Sequence, residues 1–188
     1  KAVKTIGFVS MMAPWKGIHE IVLWAKMYEA ELLELGIERI NFYGADLYLT
    51  KGSHVGYANQ LKQLMGKLEP KLVHFKGMCE PQDIFAEIDC LIHYSLEAEP
   101  FGRVLIEAFH NSVPSISTCL GGASELVEEK MTGMSAIKYD LNGLFKAISI
   151  IVKDESLRNQ LIKNAMKKSN EIEKNIEFKM HQVFGEAR

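Results

Sequence analysis

Short apolar runs alternate along the chain with segments whose apolar positions recur every three or four residues. Thr5-Ile6-Gly7-Phe8-Val9-Ser10 is a run of the first kind and predicts a buried strand. Pro14 and Gly17 mark a turn after it. Ile18, Ile21, Val22, Ala25, Tyr28 and Leu32 then share one helical face, and Gly36 suits the left-handed residue that closes such a helix. The alternation continues with strands over 39–43, 72–75, 90–93 and 113–118 and an edge strand over 135–137. Helices are predicted over 57–67, 82–88, 102–110 and 124–129, with everything from Leu141 onward helical. Residues 51–56 read as a polar, glycine-containing loop, and Gly121-Gly122 as another.

Apolar, β-branched strands separated by amphipathic helices predict an α/β fold. The sheet is parallel, doubly wound and Rossmann-like, with helices on both faces. Residues 5–152 supply sheet and helices, and 153–188 a helical tail. Lys163, Lys167 and Lys168 of that tail stand among Glu171, Glu173 and Glu177, which describes a solvated face rather than a membrane-binding one. The last dozen residues lack strong patterning and are expected to fray. Ligands of doubly wound sheets bind beyond the carboxyl ends of the strands, where the strand order reverses. The loops after Ser10, Tyr43, Phe75, His93 and Thr118 are therefore where chemistry is sought.

The 188 residues are 47% hydrophobic, enough for one domain with a sizeable core. The balance of 22 Lys+Arg against 24 Asp+Glu gives no reason to expect nucleic acid or an anionic membrane as partner. Cys79, Cys90 and Cys119 lack metal-ligand spacing and read as buried, reduced thiols of a cytoplasmic protein. No apolar stretch is long enough to span a bilayer. Residue 1 is Lys and strand-like sequence begins at Thr5, so a piece of a longer chain is expected, without a signal peptide.

The most informative segment is Glu99-Pro100-Phe101-Gly102-Arg103-Val104-Leu105-Ile106-Glu107. Pro100 and Gly102 mark a loop turning into a largely apolar helix. Glu99 lies in the loop, and Glu107 about one and a half turns inside the helix. A carboxylate on a buried helix needs a partner to offset its desolvation, and a ribose diol can supply one. The free amides expected from Phe101 to Val104 suit a diphosphate. Taken singly, Glu99 reads as a cap residue and Glu107 as the partner of a lysine; the surrounding residues reverse that reading.

Around this segment the sequence resembles the retaining glycosyltransferases of family 4, which have the GT-B fold. Glu99-Pro-Phe-Gly-x4-Glu107-Ala108 looks like their Glu-x7-Glu signature. Ile88 to Ser95 resembles the strand that precedes it. Ser112-Val113-Pro114-Ser115-Ile116, Gly121 to Val127 and Met131-Thr132-Gly133 resemble the segments that follow, and Lys16-Gly17 the Lys-Gly after the first strand. The resemblance runs from about Thr5 to Ile172. It implies the C-terminal, donor-binding half of such an enzyme, with the acceptor half absent, so that the fragment alone is inactive.

By that resemblance Lys16 contacts the donor diphosphate and Glu99 the hydroxyls of the donor sugar, these two being the catalytic candidates. Glu107 holds the ribose. The backbone of Phe101, Gly102, Arg103 and Val104 meets sugar and phosphates, Gly77 and Met78 meet the base, and Gly121 and Gly122 line the sugar pocket. No metal or other cofactor is implied: a nucleoside diphosphate sugar is the substrate, and the acceptor is a growing glycan or lipid-linked saccharide. The full-length protein would be cytoplasmic or peripheral at a membrane. There are departures from the family pattern. Ser10 and Met11 occupy the positions of a usual Arg, Tyr94 replaces a Pro, and Asn111-Ser112 replaces a small residue plus Gly. Arg103 is a candidate for the missing charge. His93, at a strand end, reads as a structural histidine. Other GT-B chemistry, a degenerate non-catalytic module and a signalling or interaction domain remain open at this point.

Overall fold

The computed structural model describes residues 2–46 and 56–185, with side chains up to residue 176. Six parallel strands form one sheet: β1 Thr5–Val9, β2 Arg39–Tyr43, β3 Val73–Gly77, β4 Cys90–His93, β5 Ser115–Ser117 and β6 Met134–Ser135. Their spatial order is β3-β2-β1-β4-β5-β6. The order reverses between β1 and β4, so the crevice of this Rossmann-like fold opens between the loops that follow those two strands.

The helices are α1 Ile18–Met27, α2 Glu29–Glu34, α3 Tyr57–Leu68, α4 Pro81–Glu87, α5 Arg103–His110, α6 Ala123–Leu126, α7 Leu141–Lys153 and α8 Glu155–Gly185. Strand alternation divides the core into two layers. Ile6 and Phe8 of β1, Ile40 and Phe42 of β2 and Cys90 and Ile92 of β4 pack against α1, α3 and α7. Leu91 of β4 faces the other way, toward α4, α5, α6 and Ala165 of α8. Phe8, Phe42 and Phe75 stand side by side in register, with ring centroids 5.2 and 5.0 Å apart. Each such pair adds about 1 kcal/mol beyond its burial. Gly7 leaves room for α4: a Cβ there would lie 2.6 Å from the Ile88 side chain.

Several expected boundaries shift. The long first helix is two, because Tyr28 leaves helical geometry at φ −107°, ψ 22°. The helix expected to begin at Gly102 begins at Arg103, with Gly102 as a left-handed cap. The helix expected over 124–129 is Ala123–Leu126, and the edge strand is Met134–Ser135, so Ile137 lies outside it. Strands 72–75 and 113–118 become Val73–Gly77 and Ser115–Ser117. The helical tail is broken once, at Asp154, whose side chain accepts from Leu157 N (2.9 Å). α8 reaches Gly185, and positions 186–188 of the segment expected to fray lie outside the described residues. Positions 51–55 of the polar loop lie outside the described residues. Among the described residues no helix is long and apolar enough to cross a membrane.

Candidate functional site

The site is assembled from two loops at the reversal point. After β1, the chain makes a single 3-10 turn, Pro14–Lys16, and enters α1 through Gly17 at φ 68°. Glycine is needed there for its dihedral and for space, since a Cβ would sit 2.7 Å from the Tyr94 carbonyl oxygen and 2.8 Å from its ring. Leu96 N donates to the Trp15 carbonyl (2.7 Å) and joins this loop to the one after β4. Tyr94, which stands where the family has Pro, is buried, and its hydroxyl accepts from Tyr139 N (2.6 Å).

After β4, Pro100 restricts Glu99 to extended backbone. Glu99 then pairs with the loop after β5: its N–H donates to Leu120 O (3.2 Å), and its carbonyl accepts from Gly122 N (2.7 Å). Gly121 and Gly122 make this possible. A Cβ on Gly121 would lie 2.3 Å from Glu99 O, and one on Gly122 would lie 2.5 Å from Pro100 O. These two glycines hold the loop against the backbone of residues 99–101.

The Glu99 carboxylate, 9% exposed, is the centre of the site. Its Oε1 accepts from Lys16 Nζ at 2.5 Å and from the Ser95 hydroxyl, and lies 3.0 Å from His93 Nε2. Burial by itself raises the carboxyl pKa and is the largest single influence. His93, Lys16 and Ser95 together outweigh it and hold the carboxyl down to about 2. Lys16 also lies over the Trp15 ring, 4.2 Å from its centroid. Behind His93, Nδ1 is 3.0 Å from the Ser117 hydroxyl, which accepts from Cys119 N. Thr118 locks the same corner, donating to Ser95 O (2.7 Å) and accepting from Ser95 N (3.1 Å).

Two residues past Glu99 begin four amides, of Phe101, Gly102, Arg103 and Val104, that donate to no acceptor among the described residues. Gly102 at φ 81° turns the chain into α5 and sits at its N-terminal, positive end. An anion there would meet free N–H groups, a helix end and, across the crevice, Lys16.

The remaining sequence candidates lie further off. Gly77 closes β3 on the same sheet edge, its carbonyl accepting from Gly44 N (2.8 Å), and Met78 next to it is exposed. Glu107 was expected to be a buried acid. It is instead one-third exposed, on the flank of α5, and its Oε1 is 3.7 Å from the guanidinium of Arg103. The buried face of α5 is Leu105, Ala108 and Phe109, and Glu107 falls beside it rather than on it. Arg103 is open to solvent on the first turn. Ser10 and Met11 fill the position of the missing Arg with close backbone packing: a Cβ on Gly44 would lie 1.8 Å from Ser10 O. The cysteines are all free, yet only Cys90 is buried; Cys119 is intermediate and Cys79 exposed, because it lies in the open loop before α4.

Sequence reasoning missed Ser95 and Ser117 and underused His93. His93 is the structural histidine expected, bonded to Ser117, and also a neighbour of Glu99. The available signal was that residues 93 and 95 point to one side of the chain at the end of β4, toward the loop that carries Glu99.

Residues 1–168 match the family model described as glycosyl transferases group 1. Among curated proteins, the chain is 28% identical over 169 residues to the capsular polysaccharide biosynthesis glycosyltransferase CapM of Staphylococcus aureus. That match covers 87% of this chain and 40% of CapM. Among solved structures, Anabaena Alr3699/HepE in complex with UDP-glucose superposes with a TM-score of 0.77 at 25% identity, over 89% of this chain and 44% of HepE. The C-terminal domain of a glycosyl transferase group 1 family protein, LpcC of Francisella tularensis, shares the fold with a TM-score of 0.72 at 18% identity. It covers 87% of this chain and 83% of that one. The chain thus spans less than half the length of CapM and of HepE. A Rossmann-like sheet of GT-B type, a crevice at its reversal point and a family match over most of the length lead to one conclusion: the chain belongs to the glycosyl transferases group 1 family.

Proposed function

We propose that this chain is the donor-binding half of a retaining glycosyltransferase of family 4. It would serve glycan biosynthesis by moving a sugar from a nucleoside diphosphate sugar to an acceptor hydroxyl. The observation that carries the reading is the meeting of Lys16 and Glu99 at the sheet's reversal point, beside four unbonded amides. In the transition state the leaving diphosphate gains negative charge. Lys16 and the start of α5 are preorganised to stabilise it, so the reading calls for no metal. Glu99, kept ionised by its neighbours, accepts hydrogen bonds from hydroxyls of the donor sugar and fixes its orientation. Glu107 takes the ribose hydroxyls by turning from Arg103, whose guanidinium is then free for phosphate. Gly77 and Met78 meet the base.

A solved relative that holds UDP-glucose and a curated relative in capsular polysaccharide biosynthesis support uridine as the base and a polysaccharide as the product. The acceptor would be bound by a second domain, such as the remaining length of these relatives could supply. The chain alone is then expected to bind donor and to transfer nothing. The test is a thermal-shift panel of UDP, GDP, ADP and their sugars, because a ligand that binds only the folded state raises Tm. UDP and UDP-sugars are expected to raise it. A panel with no shift at millimolar ligand would overturn the reading.

A further inference from the structure

The Glu99 oxygen Oε1 is oversubscribed. A carboxylate oxygen has two lone pairs, and here they serve Lys16 Nζ and the Ser95 hydroxyl, both in short contacts. His93 Nε2 is the third group at that oxygen. It is 3.0 Å away, on a residue 5% exposed, and it makes no well-directed hydrogen bond among the described residues. The imidazole is nonetheless held in place, by Ser117 at Nδ1. Ser117 can donate to a neutral Nδ1 or accept from a protonated one while still accepting from Cys119 N, so the ring is supported in either state.

A diphosphate in the crevice competes with Glu99 for the Lys16 ammonium. If it leaves for the phosphates, one lone pair of Oε1 falls open and a buried carboxylate loses its cation. The imidazole, 3.0 Å from that oxygen, is a group able to replace both. We propose that His93 is a positioning residue that takes over Glu99 Oε1 from Lys16 when a donor binds, gaining a proton from solvent as it does so. This rests on the donor-site reading above. Among the described residues, the charged and titratable groups facing the ring are Glu99 from its own loop and Lys16 from the loop after β1. β5 presents only the hydroxyl of Ser117, with Cys119 behind it. The proton goes to the ring, whose Nδ1–H can donate to Ser117, while two donors keep the Glu99 carboxylate ionised.

The ligand-free half of the inference is tested by following the His93 ring nitrogens by NMR across pH in this chain. Lys16→Met, or Lys16→Gln if the first is poorly folded, is expected to raise the His93 titration midpoint, and Glu99→Gln to lower it. Unchanged midpoints in these variants would overturn the exchange. The bound state is tested by calorimetry with UDP-glucose in buffers of different ionisation enthalpy; its diphosphate diester does not titrate near neutral pH. Uptake approaching about one proton per ligand is expected, with affinity rising up to about tenfold per pH unit on acidification. His93→Gln, which keeps a donor but cannot titrate, is expected to bind with no uptake and a flat profile. Binding without uptake in the parent chain, or uptake that survives in His93→Gln, would refute the role of His93. No binding at all would instead refute the donor reading, while the ligand-free titration still decides the coupling.

Discussion

Replacing Glu99 by Gln keeps the shape of the side chain and removes its charge, which makes it the sharpest probe of the site. The carboxyl is held down to about 2, against an ordinary value near 4.5. A group whose pKa is depressed by folding contributes stability that is complete above its unfolded value and is lost as pH falls through its folded one. At neutral pH that contribution is roughly 3 kcal/mol as an upper bound, and at pH 3 it is between about 1 and 2. Glu99→Gln should therefore be less stable than the parent chain by up to about 3 kcal/mol at pH 7, with the difference shrinking by about half or more by pH 3. Urea unfolding at the two pH values measures both quantities. Equal stabilities at pH 7, or a difference that widens on acidification, would show that His93, Lys16 and Ser95 do not stabilise the ionised carboxylate.

Three further outcomes can be checked on the same chain. Gly121→Ala forces a Cβ to within 2.3 Å of the Glu99 carbonyl at φ 68°, so it should cost at least about 2 kcal/mol in thermal unfolding and weaken UDP-glucose binding by displacing Glu99. Gly7→Val pushes into Ile88 and should cost about 1–3 kcal/mol, with UDP-glucose affinity unchanged because α4 lies away from the crevice; a stable variant would mean the sheet and α4 yield easily. A thiol reagent should label Cys79 at once. Cys90, buried and with its thiol pushed up to about 12, should react only on unfolding, and rapid labelling of Cys90 in the native chain would contradict its burial.

The strand and helix types, the parallel doubly wound sheet and the sheet edge that carries the site followed from local pattern, because hydrophobic period and glycine position are properties of short segments. Lys16 and Glu99 were legible as candidates, since Pro100, Gly102 and Gly17 announce the turns that expose them. What those residues touch was not legible. That Lys16 and Glu99 bind each other, 83 positions apart, depends on β1 and β4 being neighbours at the point where the strand order reverses. That Glu107 lies on the flank of α5 depends on which way the helix rolls onto α8 and the sheet. That Gly121 and Gly122 serve backbone packing depends on the loop after β5 closing on Glu99. The sequence by itself determined which segments could form a crevice. Only the tertiary structure decided which side chains share one carboxylate oxygen, because a buried charge chooses its partners from whatever the packed sheet brings within 3 Å.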